Sequence, residues 1–227
     1  MDINNLIQTV LIYALPVLFS ITVHEAAHGY AARHFGDNTA YMLGRCTLNP
    51  LKHIDPIGTV LMPIALLALS GGAFAFGYAK PVPVNFGNLR NPKRDMIWVA
   101  AAGPASNLVQ ALLWGVAFLL LIKLGLGGAM GEFFIAMCKA GVWLNVILLV
   151  FNLLPLPPLD GGRILSGLLP YQYASMLGRI EPYGFFIVVF LLLTKVLENF
   201  WLLPIGGLTM RLIDLLLTPI KLLLGLQ

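Results

Sequence analysis

The sequence predicts an all-α polytopic membrane protein with about five to six membrane-inserted helices and a re-entrant or β-hairpin-like segment at 58–90. Three observations predict it. Of 227 residues, 59% are hydrophobic and 11% charged, whereas soluble domains are about a quarter charged. The mean hydropathy is +0.86. Several apolar runs approach or exceed the roughly 20 residues that a helix needs to cross a bilayer. The polar stretches between them are too short for a second globular unit, so a single membrane-embedded domain over 1–227 is expected. The 14 Lys and Arg exceed the 10 Asp and Glu only modestly. That excess reads as loop charge setting topology, so the expected surroundings are the lipid bilayer and no nucleic acid. Cys46 and Cys138 lie too far apart to suggest a CxxC metal site, and two cysteines make no disulfide framework.

The elements follow in order. "MDINN" lacks the basic start of a signal peptide, so the first apolar run is expected to be a retained helix. Residues 6–23 form that first span, with Pro16 as an expected kink. Residues 29–57 are mixed and carry Arg33, Arg45 and Lys52. Residues 58–78 are apolar but interrupted by "SGG". The segment "AKPVPVNFGNLRNPKRD" is rich in Pro and Asn and reads as extended, even strand-like, with Lys80, Arg90, Lys93 and Arg94. Both loops flanking 58–78 are basic, and the positive-inside tendency puts both in the cytoplasm. Residues 58–78 are then expected to dip in and return, which backbone survives only when buried in protein or lining a wet cavity. Residues 96–122 and 133–154 are clear spans; 185–203 is a late span, and 205–224 spans or lies in the interface.

"HEAAHGYAARH" at 24–34 holds three of the four histidines. On a helix, His24 and His28 project from one face about 6 Å apart, close enough for both imidazoles to bind one Zn²⁺. Glu25 is turned by about 100°, which suits a general base that accepts a proton from water without binding the metal. The bland alternative is a hydrated polar helix end at the headgroup level. Ionisable residues within a membrane are costly, and three within five positions ask for a function. A catalytic zinc needs a third protein ligand, and there are two candidates. His34 follows His28 by six residues, but a continuing helix would turn it about 120° away, and Ala31 stands where a sharp turn would need Gly. The other candidate is Asp160 in "FNLLPLPPLDGGRIL", whose prolines break the helical ladder. Asp160 also suits an N-cap, a role that would compete for its oxygens.

"HEAAH", "AAGPASN" and "FNLLPLPPLDGG" together resemble the site-2 protease family of intramembrane zinc metalloproteases. "NPLKHIDPIGT" with "AKPVPVN" resembles its short bacterial branch, and no PDZ or CBS module is visible. The resemblance covers about 10–170, leaving 171–227 with membrane helices at 183–225 and no motif. It implies one Zn²⁺ per chain held by His24, His28 and Asp160, with Glu25 as general base in a catalytic core over about 6–170. It also implies a bacterial cell membrane, and substrates that are single-span membrane proteins or their remnant peptides, cut near the cytoplasmic boundary. Asn152 would support the site, stabilising the oxyanion of peptide hydrolysis or only packing helices. Gly103 and Asn107 match the family's middle-helix motif, and close helix approach with an Asn bridge explains both without chemistry. The rival reading is a non-proteolytic metal-binding scaffold or transporter. It leaves Glu25 without a purpose.

Overall fold

The computed structural model describes residues 3–62, 65 and 80–226. Helix α1 (Ile3–His34) runs unbroken through Pro16 and through the histidine cluster. It ends in a turn in which Gly36 takes φ +114°, a left-handed value that a β-carbon would strain, and the Asp37 N–H reaches back to the Ala32 carbonyl at 2.9 Å. The short α2 (Thr39–Met42) follows. Then come α3 (Pro92–Lys123), with Pro at its permissive first turn, and α4 (Gly128–Asn152). After a proline-rich loop, α5 (Asp160–Leu168), α6 (Tyr171–Gly178) and α7 (Glu181–Leu193) lead to α8 (Leu203–Leu224). Among the described residues, four helical stretches are long and apolar enough to cross a membrane: 7–34, 92–123, 128–152 and 198–224. The α6–α7 pair, bent by 65°, makes a fifth if it is one span. No strand occurs among the described residues.

Helix α3 is the central post, packing against α1, α4, α5 and α8. Small residues allow the approach. A β-carbon on Gly141 would lie 2.4 Å from the Trp114 ring, and one on Gly115 would lie 2.5 Å from Leu217. Between these helices Ala111, Leu119, Val146, Leu149, Val150, Ile213 and Leu217 close into a buried cluster. Lipid tails are as apolar as leucine, so tight packing rather than water exclusion holds such helices together. The same logic leaves Leu215, Phe200 and Leu223 outward without cost.

Two boundaries differ from the sequence expectation. The first helix runs eleven residues past Val23, because His24 and His28 are turned towards protein and the polar residues of the last turns lie exposed beyond the apolar run. The late spans expected at 185–203 and 205–224 instead fall at Glu181–Leu193 and 198–224. Lys195, at φ +57°, follows the end of α7, and a π-helical turn at Glu198–Leu202 precedes Pro204. That wider turn makes room for the proline ring against the preceding backbone, so Pro204 does not end the span.

The loops at 35–57 and 80–91 are stitched together. The Lys80 N–H donates to the His53 carbonyl at 2.9 Å, and Arg90 N–H to Phe35 O at 3.0 Å. Arg45 donates to the carbonyls of Lys80 and Pro81. Fully buried Asp37 accepts from Asn85 N–H at 2.8 Å, the Asn88 amide at 3.1 Å and both the N–H and hydroxyl of Thr39. The re-entrant turn expected at 58–78 lies outside the described residues beyond its first turns. The two flanking loops nonetheless meet on one side.

Candidate metal centre

The α1 backbone sets His24 and His28 one turn apart, with their Nε2 atoms 3.1 Å from each other. Asp160 arrives from the start of α5, its Oδ2 at 3.3 Å from both Nε2 atoms. Gly161 and Gly162 make this approach feasible. β-Carbons there would lie 2.2 Å from the Leu153 carbonyl and 2.3 Å from Pro157 N, so the glycine pair lets α5 nest against the proline loop. The Pro157–Pro158 peptide in that loop is cis. Asp160 does not cap its helix; the N-cap is Leu159, and no side chain caps the first turn. Its Oδ2 is buried with no hydrogen-bond donor.

Three acceptor atoms, facing one another at 3.1, 3.3 and 3.3 Å, are unfavourable without a cation between them. Around a metal bound at about 2.0 Å, tetrahedrally arranged ligands lie about 3.3 Å apart. The triangle is therefore one face of such a tetrahedron, with the fourth vertex open. The donor set of two imidazoles and one carboxylate suits a borderline divalent ion. Each imidazole is held by its other nitrogen: His24 Nδ1 donates to Asn107 Oδ1 at 2.6 Å, and His28 Nδ1 to the Val99 carbonyl at 2.8 Å. Gly103 supplies the space, because a β-carbon there would lie 2.4 Å from His28 Nε2 and 2.6 Å from His24 Nε2.

Glu25 stands beside the triangle and outside it. Its Oε2 accepts the Val82 N–H at 2.6 Å. Together with Asn152, Arg163 and the segment from Pro81 to Phe86, it lines a cavity of about 130 Å³ over the three ligand residues. Asn152 closes α4, with one amide hydrogen given to the Leu148 carbonyl at 2.9 Å. His34 is exposed on the last turn of α1, its ring edge-on to Phe35, and among the described residues it joins no metal-ligating group.

Among the described residues, the extended segment 80–85 forms no strand pairing. Its donors go elsewhere, Lys80 to His53 and Val82 to Glu25, while Pro81 and Pro83 have none. Sequence reasoning missed this clamp on Glu25. It also missed the contact of Asn107 with His24, the role of Asn145 behind it, and Arg163, whose guanidinium lies 5.2 Å over the Phe86 ring. The available signal was the presence of Asn107 and Asn145 inside spans, where amides need partners.

Comparisons with known proteins identify the family. The profile of Peptidase family M50 matches residues 122–194, a stretch that contains Asn152 and Asp160. YwhC of Bacillus subtilis strain 168, which bears the name of a zinc metalloprotease, is 40% identical over 188 residues, covering 79% of each chain. Rip2 of Mycolicibacterium smegmatis, named likewise, is 33% identical over 87% of this chain and 74% of its own. Rip2 of Mycobacterium tuberculosis H37Rv is 30% identical over 86% of this chain and 74% of its own. No solved structure matches. With its apolar spans, its buried ligand triangle and these relatives, the chain is a multi-pass membrane protein belonging to peptidase family M50.

Proposed function

We propose that this M50 peptidase is an intramembrane zinc endopeptidase that hydrolyses peptide bonds of transmembrane substrate helices near the cytoplasmic boundary, as in regulated intramembrane proteolysis. The observation that carries the reading is a ligand triangle of tetrahedral dimensions with an unbound carboxylate, Glu25, beside it in one cavity. His24, His28 and Asp160 would hold the ion. Bound zinc supplies Lewis acidity, polarising a peptide carbonyl and making water acidic near neutral pH.

The chain's own residues do the rest. Glu25 accepts the proton of the attacking water and returns it to the leaving amine. The Val82 N–H fixes one oxygen of that carboxylate, which leaves the other to carry the proton. Asn152 keeps one amide hydrogen beyond its bond to Leu148, and that hydrogen is available to an oxyanion. A cavity of about 130 Å³ cannot admit an intact helix about 10–12 Å across. Substrate must therefore unwind and enter as a short extended piece. Strand addition to 80–85 would be limited, because the Lys80 and Pro81 carbonyls are already taken by Arg45.

The test is cleavage of a panel of single-span membrane proteins by the purified full chain, with Glu25→Gln as control and zinc content measured in parallel. Product formation that requires Glu25 supports the reading. A chain that holds zinc yet cleaves none of the panel, or that cleaves equally without Glu25, refutes it.

A further inference from the structure

Asn107 and Asn145 meet in the interior of the α1–α3–α4 interface, each fully buried at 0% exposure. We propose that Asn145 is a positioning residue for His24: acting through Asn107, it decides which imidazole nitrogen faces the metal. The inference rests on reading His24, His28 and Asp160 as zinc ligands.

The chain of reasoning starts at the Gly141 carbonyl, which can only accept. Asn145 Nδ2 donates to it at 2.9 Å, so the Asn145 carbonyl must point away from its own helix. There Asn145 Oδ1 accepts from Asn107 Nδ2 at 2.8 Å, and the Ser20 carbonyl accepts from the same amino group at 3.3 Å. With its amino group held by two acceptors, Asn107 turns Oδ1 to His24 Nδ1 at 2.6 Å. A carbonyl oxygen cannot donate, so Nδ1 carries the proton and Nε2 presents its lone pair. With Asn107 flipped, its amino group would face Nδ1, and the imidazole proton would move to Nε2, into the triangle with His28 and Asp160. Such a site could not accept a cation.

His28 needs no such device. Its acceptor is the Val99 backbone carbonyl, which is fixed by helix α3 and has no alternative orientation. His24 relies on a side-chain amide whose two ends are nearly the same shape. Asn145 removes the ambiguity.

The experiment measures zinc affinity of the full-length chain in detergent by chelator competition, together with the visible spectrum after cobalt substitution. Asn145→Leu is expected to weaken zinc about 10- to 100-fold and to alter the cobalt spectrum. Asn107→Asp presents an oxygen to Nδ1 in either orientation, while its second oxygen meets Asn145 Oδ1, so this variant serves as the background of a double-mutant cycle and not as a neutral control. In that background, adding Asn145→Leu should cost less than about threefold further, since orientation no longer matters. Equal losses in both backgrounds would make Asn145 a packing residue and overturn the proposal. So would no loss in either. Should Asn145→Leu fail to fold, Asn145→Ala replaces it in the cycle. A parent chain that binds no zinc overturns the site reading and this one together. A zinc-binding parent with a flat cycle overturns this one alone.

Discussion

His24 and Glu25 are neighbours in sequence that differ in what their side chains face: one His28 and Asp160 at 3.1 and 3.3 Å, the other a backbone N–H at 2.6 Å. Replacing Glu25 by Gln should therefore lower peptide hydrolysis by about 10²- to 10⁴-fold while leaving zinc content unchanged by mass spectrometry. A zinc-free, folded variant would mean that Glu25 holds the ion. Asp160→Asn should lose most activity and weaken zinc retention, because the remaining amide neutralises no charge. His34→Ala should shift stability by no more than about 0.5 kcal/mol, as for other exposed residues; the reverse pattern would exchange the roles of His34 and Asp160. The histidine spacing was legible because 3.6-residue periodicity is local. The partner of His24 was not legible, because Asn107 reaches it from another helix with Asn145 behind it on a third, and sequence shows that an amide needs a partner without saying which. Asn107 was accordingly expected to bridge helices, which it does, with its carbonyl end on a ligand.

At the scale of elements, helix approach and loop stitching are the quantities that matter. Gly103→Ala would put a methyl group where the two Nε2 atoms converge, so it should abolish zinc binding while the helices remain folded. Zinc content set against circular dichroism checks this, and a zinc-replete Ala variant would show that α1 and α3 can separate. Asp37 supplies a pH dependence. Burial works against its charge, but the Thr39 hydroxyl, the Asn88 amide and the backbone of Asn85 and Thr39 outweigh that and hold its carboxyl below the ordinary range. A folded value lowered in this way stabilises above the unfolded value of about 3.9. That contribution is lost as pH falls from there through the folded value. Thermal melts should be insensitive to this group between pH 5 and 8 and fall below about pH 4, with the Asp37→Asn variant losing that acid limb. An unchanged acid limb would show that Asp37 does not link the loops. Helix ends were the least legible feature. Hydropathy drops at His24 although the helix does not stop, and Pro204 looks like a break although a π-helical turn absorbs it.

For the molecule as a whole, the basic loops and their mutual hydrogen bonds agree on one arrangement, in which 35–57 and 80–95 share a side of the membrane. Single cysteines at Asn38 and Arg94, in a background lacking Cys46 and Cys138, should react equally with a membrane-impermeant maleimide applied from one face. Opposite labelling would overturn the arrangement. The all-α class and the membrane setting were legible because bulk composition alone decides them. Which helices touch was not, since apolar faces in lipid carry no pattern that separates a neighbour from a lipid tail.

The ligand triangle has a bearing on metal choice. Its edges of 3.1, 3.3 and 3.3 Å suit tetrahedral coordination, whereas adjacent ligands in a square or octahedral shell at about 2.0 Å would lie about 2.8 Å apart. Asn107 and the Val99 carbonyl hold the histidines through Nδ1 and a glycine pair seats the aspartate, so the edges are braced at these lengths. Copper(II) and nickel(II), which bind comparable donors at least as strongly in free solution, would have to bend the scaffold to gain that advantage. A frame held at these dimensions would favour a tetrahedral ion over a square-planar one of higher intrinsic affinity.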